Sequence, residues 1–226
     1  MRKITLICTV HREIGKCNSE ELHKILELVA PDVIFEELPN DLFDRFYNKN
    51  DIPYEPPEVK SIKRYLEKHN IEHIPVDIDT SADLSFDSIE HIFGAFLKFA
   101  VYYELEDKHW LSASQNGFAY LNSKKCSELI DRKNFTEQYL LAAGIDSTET
   151  LLPMYKLFHK EQEKRENAIL HNIYNYSKDN QYNQAVFLLG VAHRNSIMKK
   201  IQQYEKVSTL NLNWTFYHDD LVKQTI

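Results

Sequence analysis

The chain has 226 residues, 27 basic and 34 acidic side chains for a formal charge of -7, and 43% hydrophobic, 27% charged and 12% aromatic residues. That is a globular composition with enough apolar material for a real core, and the acidic balance argues against nucleic acid or an anionic membrane surface as partner. The length suits one domain with a sizeable insertion, spanning residues 1–226, better than two equal domains.

Arg2 and Lys3 precede an apolar run in "MRKITLICTVHREIG", as in a secretion signal, but His11, Arg12 and Glu13 end the run and no small-residue cleavage site follows. No stretch approaches the roughly 20 apolar residues of a membrane span. Cys8, Cys17 and Cys126 are odd in number and scattered, which fits a reducing compartment rather than a disulfide framework. The expectation is therefore a cytoplasmic protein.

In chain order, residues 4–11 read as a strand buried on both faces. Asn18 and Glu21 make a capping box for a helix that carries Leu22, Ile25, Leu26 and Val29 on one face and ends at Pro31. "DVIFEELP" is a second strand, "DLFDRF" opens a helical or irregular stretch closed by Pro53, Pro56 and Pro57, and a helix over "EVKSIKRYLEKHN" leads to a third strand, "EHIPVDID". This βαβαβ order is that of a parallel sheet in an α/β protein. From about 84 to 180 the pattern turns helical, with Ile89, Ile92, Phe93, Phe96, Leu97, Ala100 and Val101 at helical spacing and Gly144 as a helix C-cap. "AVFLLGVAH" returns to strand, "SIMKKIQQYE" is helical, and "VSTLNLNWTFY" is a last strand. The fold class expected is α/β, a mostly parallel sheet with a large helical insertion.

Four of these strands end in ionisable residues: His11; Glu36 and Glu37; Asp77 and Asp79; His193 and Arg194. In an open parallel sheet, ligands bind outside the carboxyl ends of the strands, so these residues converge on one cleft. Two imidazoles with carboxylates can hold a divalent metal (Mn, Co, Zn or Fe) that activates water, with His11, Glu37, Asp77 and His193 as ligands. Equally, a His or Glu can serve as general base without metal. Strand-end polar residues also serve as turn formers and caps, and Asp79 before Thr80 and Ser81 reads that way. Adjacent strand residues face opposite sides, so one of Glu36 and Glu37 takes a structural role.

In "MYKLFHKEQEKRENAILHNIYNY", Arg165 shares a stripe with Phe158, Ile169 and Tyr176, and a guanidinium on a buried face needs a carboxylate or an anionic ligand; Glu161 lies one turn away. His159, His171 and the charged run around them read as solvated. Cys8 reads as core, Ser196 or Asn195 as a helix N-cap, and "YHDD" at 217–220 as either a metal-friendly set or a solvated turn. Gly190 inside an apolar strand marks close approach by a ligand or another backbone.

Taken together, "GVAH" at 190–193, "CTVH" at 8–11, "PDVIFEEL" after the first helix, and Arg165 in "KRENAIL" resemble the TraB/Tiki clan, which also includes erythromycin-esterase-like and ChaN-like proteins. The resemblance touches both ends of the chain and one helix of the insertion, and leaves most of 84–160 unmatched. It departs from the pattern at Cys8, where the first glycine of the motif belongs. The resemblance implies an α/β core with helices over the site, and His11, Glu36 or Glu37, Arg165 and His193 as the functional set. The expected activity is hydrolysis of an amide or ester bond, metal-dependent as in Tiki-like peptidases. The alternatives are a metal-free His/Glu hydrolase and a non-catalytic module that binds a peptide or haem. Arg165 and Arg194 would hold a substrate carboxylate or an oxyanion. A peptide or small molecule is the expected partner, and homo-oligomerisation stays open.

Overall fold

The computed structural model describes residues 2–49, 51–79, 85–145, 148–208 and 210–217. Strand β1 (Arg2–Thr9) leads through α1 (Ser19–Val29) to β2 (Val33–Glu36). Then α2 (Asn40–Asp44), a π-helical turn at Arg45–Lys49 and α3 (Pro57–Leu66) precede β3 (Glu72–Pro75). The insertion comprises α4 (Phe86–Phe96), α5 (Ala100–Leu121), α6 (Lys124–Ala142) and α7 (Thr148–Asp179). The chain closes with β4 (Gln184–Gly190), α8 (Arg194–Val207) and β5 (Leu212–Phe216).

The sheet is all-parallel with strand order β3-β2-β4-β1-β5. After the helical insertion, β4 therefore slots between β1 and β2, pairing Thr9 with Gly190 and Glu36 with Leu188. That insertion of a late strand between two early ones is the switch point at which loops diverge and leave a crevice. Ile4, Leu6, Ile7 and Cys8 of β1 and Ala185 to Leu189 of β4 are all buried, as central parallel strands covered on both faces require. A smaller second core, built on Ile92, Phe96, Tyr102, Leu140, Leu141, Leu151 and Tyr155, holds the insertion together. Among the described residues no helix is long and apolar enough to cross a membrane.

Local signals set several boundaries. Asn18 caps α1 by accepting from the Glu21 amide at 2.9 Å, while Ala30, in the left-handed region at φ 49°, ends it one residue before Pro31. Gly144 is left-handed after α6, as a C-cap should be. The strands at 33–36 and 72–75 are shorter than the segments read from sequence: the Val76 amide still makes the parallel-ladder bond to the Glu36 carbonyl, but the Asp77 amide then bonds the Leu38 carbonyl, out of register. The apolar stripe at 89–101 breaks at Leu97, where α4 stops; Leu97 and Val101 are consequently exposed. Neither Ser196 nor Asn195 caps α8: the turn Val191–His193 runs directly into a helix that starts at Arg194. Asp79 is described, but its capping partners Thr80 and Ser81, and His218 to Asp220 of "YHDD", lie outside the described residues.

The edge of β1 beyond β5 shows how the insertion is tied to the sheet. The β1–β5 pairing ends at Leu6, and from there the Asn122 side chain takes over: its Oδ1 accepts from the Cys8 amide at 2.8 Å and its Nδ2 donates to the Cys8 carbonyl at 3.1 Å. The side-chain amide thus substitutes for a missing strand. Asn122→Ala is expected to strand two buried backbone groups and to cost about 2 kcal/mol, measured by urea denaturation; no measurable shift would mean water or relaxation serves Cys8 instead.

Candidate active site

The site is built at the carboxyl ends of β1, β2 and β4. His11 lies two residues past β1, in a loop pinned by Arg12 over the Trp110 ring at 3.6 Å, by the Lys16 amide on the Ser114 carbonyl at 2.8 Å, and by the Tyr54 hydroxyl on the His11 carbonyl at 3.2 Å. Gly15 and Gly117 make this docking feasible. Both have positive φ, and a Cβ on either would run into the facing segment, Ser114 and Lys16 respectively.

Glu37 is the hub. Its Oε2 accepts from the Gly190 amide at 2.5 Å; its Oε1 accepts from Arg165 Nη2 at 3.0 Å and lies 3.3 Å from His193 Nε2. Behind each imidazole stands a second carboxylate: His11 Nδ1 is 3.0 Å from Glu58 Oε1, and His193 Nδ1 is 2.8 Å from Glu166 Oε1. Glu166 is held in turn by the Ser196 hydroxyl at 2.5 Å. Arg165 donates through Nε to both oxygens of Asp77, also bonds Asp77 through Nη2, and donates through Nη1 to Gln162 at 2.9 Å.

These charges set the ionisation of the site. Burial alone would raise the Glu37 carboxyl, but His193, His11 and Arg165 outweigh it and hold its pKa well below the ordinary range. Burial likewise opposes charge on His193, yet Glu37 and Glu166 raise its pKa to about 10. For His11, burial is overcome mainly by Glu58, and the pKa also rises. Its side chain is 60% exposed, so solvent screens part of that pull.

Gly190 lies against the side chains of both His11 and Glu37. A Cβ there would lie 2.9 Å from His11 Nε2 and 3.1 Å from Glu37 Oε2. Glu37 is fixed by several bonds, whereas the His11 ring, largely exposed and held by Glu58 alone, is the side that can give. Gly190→Ala is therefore expected to turn His11 away from Glu37 at a stability cost of about 1 kcal/mol, seen as a shift of the His11 ring resonances in NMR. An unmoved ring would show that the backbone yields first.

Of the residues expected from sequence, His11, Glu37, Asp77, Arg165 and His193 come together. Glu36 faces the other way, with its Oε1 2.7 Å from His73 Nδ1 and its Oε2 accepting from Tyr47 at 2.7 Å, so it braces β3 and the π-helical turn. Arg194 is buried but turned away from Glu37: it donates to the Asn122 carbonyl at 3.0 Å and to the Ser127 hydroxyl. Arg165 finds its carboxylate partners at the strand ends, in Asp77 and Glu37. Cys8 is fully buried, and burial pushes its thiol well up, so it is core. Glu58 and Glu166 did not stand out in the sequence. Glu58 follows Pro56 and Pro57 and looks like an ordinary first-turn acid, and Glu166 sits in a charged run that reads as solvated, though both are buried.

A metal does not fit this arrangement. Both Asp77 oxygens are engaged by Arg165, both Glu37 oxygens are taken, and His193 Nε2 already faces Glu37. Among the described residues no three His, Cys, Asp or Glu side chains are gathered as a ligand set. On the Glu166 side of His193 lies a cleft of about 410 Å³, lined by Phe93, Phe158, Glu166, His193, Ser196 and Lys199 among others. Searches found no matching protein-family model, no matching curated protein and no matching solved structure.

Proposed function

We propose that the protein is a metal-free hydrolase of an ester or amide bond, a His/Glu site of the kind the erythromycin-esterase-like branch of the TraB/Tiki resemblance implies. One observation carries this reading: two imidazoles, each held at Nδ1 by its own carboxylate, flank Glu37, with His193 Nε2 3.3 Å from it and His11 Nε2 against Gly190 beside it. A carboxylate on Nδ1 fixes the tautomer that leaves Nε2 free to move a proton.

The roles follow from exposure and charge. His11, the exposed ring, is the base that takes a proton from water once it is neutral. His193, nearly buried and charged below about pH 10, is the acid that protonates the leaving group. Arg165 keeps Glu37 ionised and adds positive charge beside the developing oxyanion. The cleft of about 410 Å³ has the size for a small molecule or a short peptide segment. We place the protein in a reducing compartment, in line with its three free, buried cysteines.

The test is hydrolysis of p-nitrophenyl acetate before and after exhaustive chelation, across pH. Turnover is expected to survive chelation. It should rise with pH as His11, whose pKa lies above its ordinary value, loses its proton, and fall above about pH 10 as His193 loses its own. Activity abolished by chelation and restored by Mn or Zn would replace this reading with the metal-dependent one.

A further inference from the structure

Glu58 has an unused oxygen. Its Oε1 lies against His11 Nδ1, but Oε2, in a residue only 8% exposed, has no hydrogen-bond partner among the described residues. A buried carboxylate oxygen without a donor keeps the full penalty of its lost hydration, so something is expected to serve it. Beside it is a cavity of about 30 Å³ lined by Thr9, His11, Glu36, Glu37, Glu58 and Leu188 among others, which is room for one water molecule.

The charges around that cavity identify the occupant. Glu36 has His73, Glu37 has Arg165 and His193, and Glu58 has His11. Each carboxylate already has a basic partner, so Glu58 Oε2 lacks a hydrogen-bond donor and not a counter-charge. We infer that the cavity holds a single water that donates to Glu58 Oε2, and that Glu58 is the positioning residue for both this water and His11.

The role of that water rests on the hydrolase reading. It is a positioning water: bound to Glu58 on the Nδ1 side of the His11 ring, it lies away from Nε2, where the proton of the attacking water is taken up, and it keeps Glu58, and through Glu58 the ring, in place. Glu58 touches no substrate. It holds the His11 ring through Nδ1 and is itself held through Oε2 by the water, so the orientation of the base depends on both.

Crystal structures of the wild type and Glu58→Met, at a resolution that shows ordered water, decide the matter. A single peak within hydrogen-bond distance of Glu58 Oε2 in the wild type, lost in Glu58→Met, is the expected result. An empty cavity, a peak that persists in Glu58→Met, or an anomalous signal from a metal ion overturns the inference, whether or not the protein hydrolyses anything. If Glu58→Met fails to fold, the wild-type peak still decides. In turnover, Glu58→Gln is expected to lower kcat about tenfold or more at unchanged KM, and a wild-type kcat in that variant overturns the positioning role. No esterase activity at all in the wild type would sink the hydrolase reading alone and leave the water to the crystallographic result.

Discussion

Glu37→Gln is expected to lower kcat/KM for an ester probe by about 10²–10⁴, the span that general acid–base groups contribute. Glutamine keeps the shape and one acceptor, which the Gly190 amide would claim, as it does now at 2.5 Å. The amide NH₂ would then face Arg165 Nη2 and His193 Nε2, donor against donor, where a carboxylate now accepts at 3.0 and 3.3 Å. His193 would lose the larger of its two anionic supports, so its pKa would fall toward the value Glu166 alone can sustain. The two effects are separable: kcat/KM reads the chemistry, and histidine NMR titration reads the ionisation. Turnover within twofold of wild type would remove Glu37 from the proposed mechanism. Loss of turnover together with loss of a co-purifying metal would instead point to the metal-dependent alternative.

The largest stability effect is expected at Arg165. Its side chain is 17% exposed and sits against Asp77 at 1% and Glu37 at 6%, so removal leaves two desolvated carboxylates sharing one site. Breaking a buried pair from one side costs about 3–5 kcal/mol, because the penalty is that of the charge left behind. In a protein of this length, that lowers the melting temperature by roughly 6–20 °C. Arg165→Lys is not expected to rescue it, since one ammonium cannot reproduce the fork that reaches Asp77 through Nε and Glu37 through Nη2. Arg165→Met combined with Asp77→Leu removes both members of the tightest pair and should recover much of the loss, which a double-mutant cycle would measure. Additive losses would show that Arg165 acts through Glu37 alone.

Several features of the fold and site were legible in the residues because they depend on local rules. Short continuous apolar runs and period-3.6 patterning separated the sheet strands from the insertion, and Asn18 and Gly144 announced their caps. The position of Gly190 in an apolar strand signalled a close approach, which proved to be that of His11 and Glu37. The strict alternation of a strand required Glu36 and Glu37 to part company, and Glu36 indeed turns to His73 and Tyr47. Arg165 on an apolar stripe implied a buried partner before any partner was known.

What the sequence by itself determined is the class of the fold, the ends of strands that carry ionisable groups, and the need for burial of Arg165. Only the tertiary structure decided the pairings. Strand order is a matter of which edge β4 joins, and its insertion between β1 and β2 is what carries His11, Glu37 and His193 to one point. Glu58 and Glu166 are 47 and 27 residues from the histidines they hold, and no periodicity encodes such distances. Arg194 follows His193 directly yet turns to Asn122, because the short turn after β4 enters α8 with the two side chains on different faces. Local propensity can place a charge at a strand end; its partner depends on which distant segment the packing brings against it.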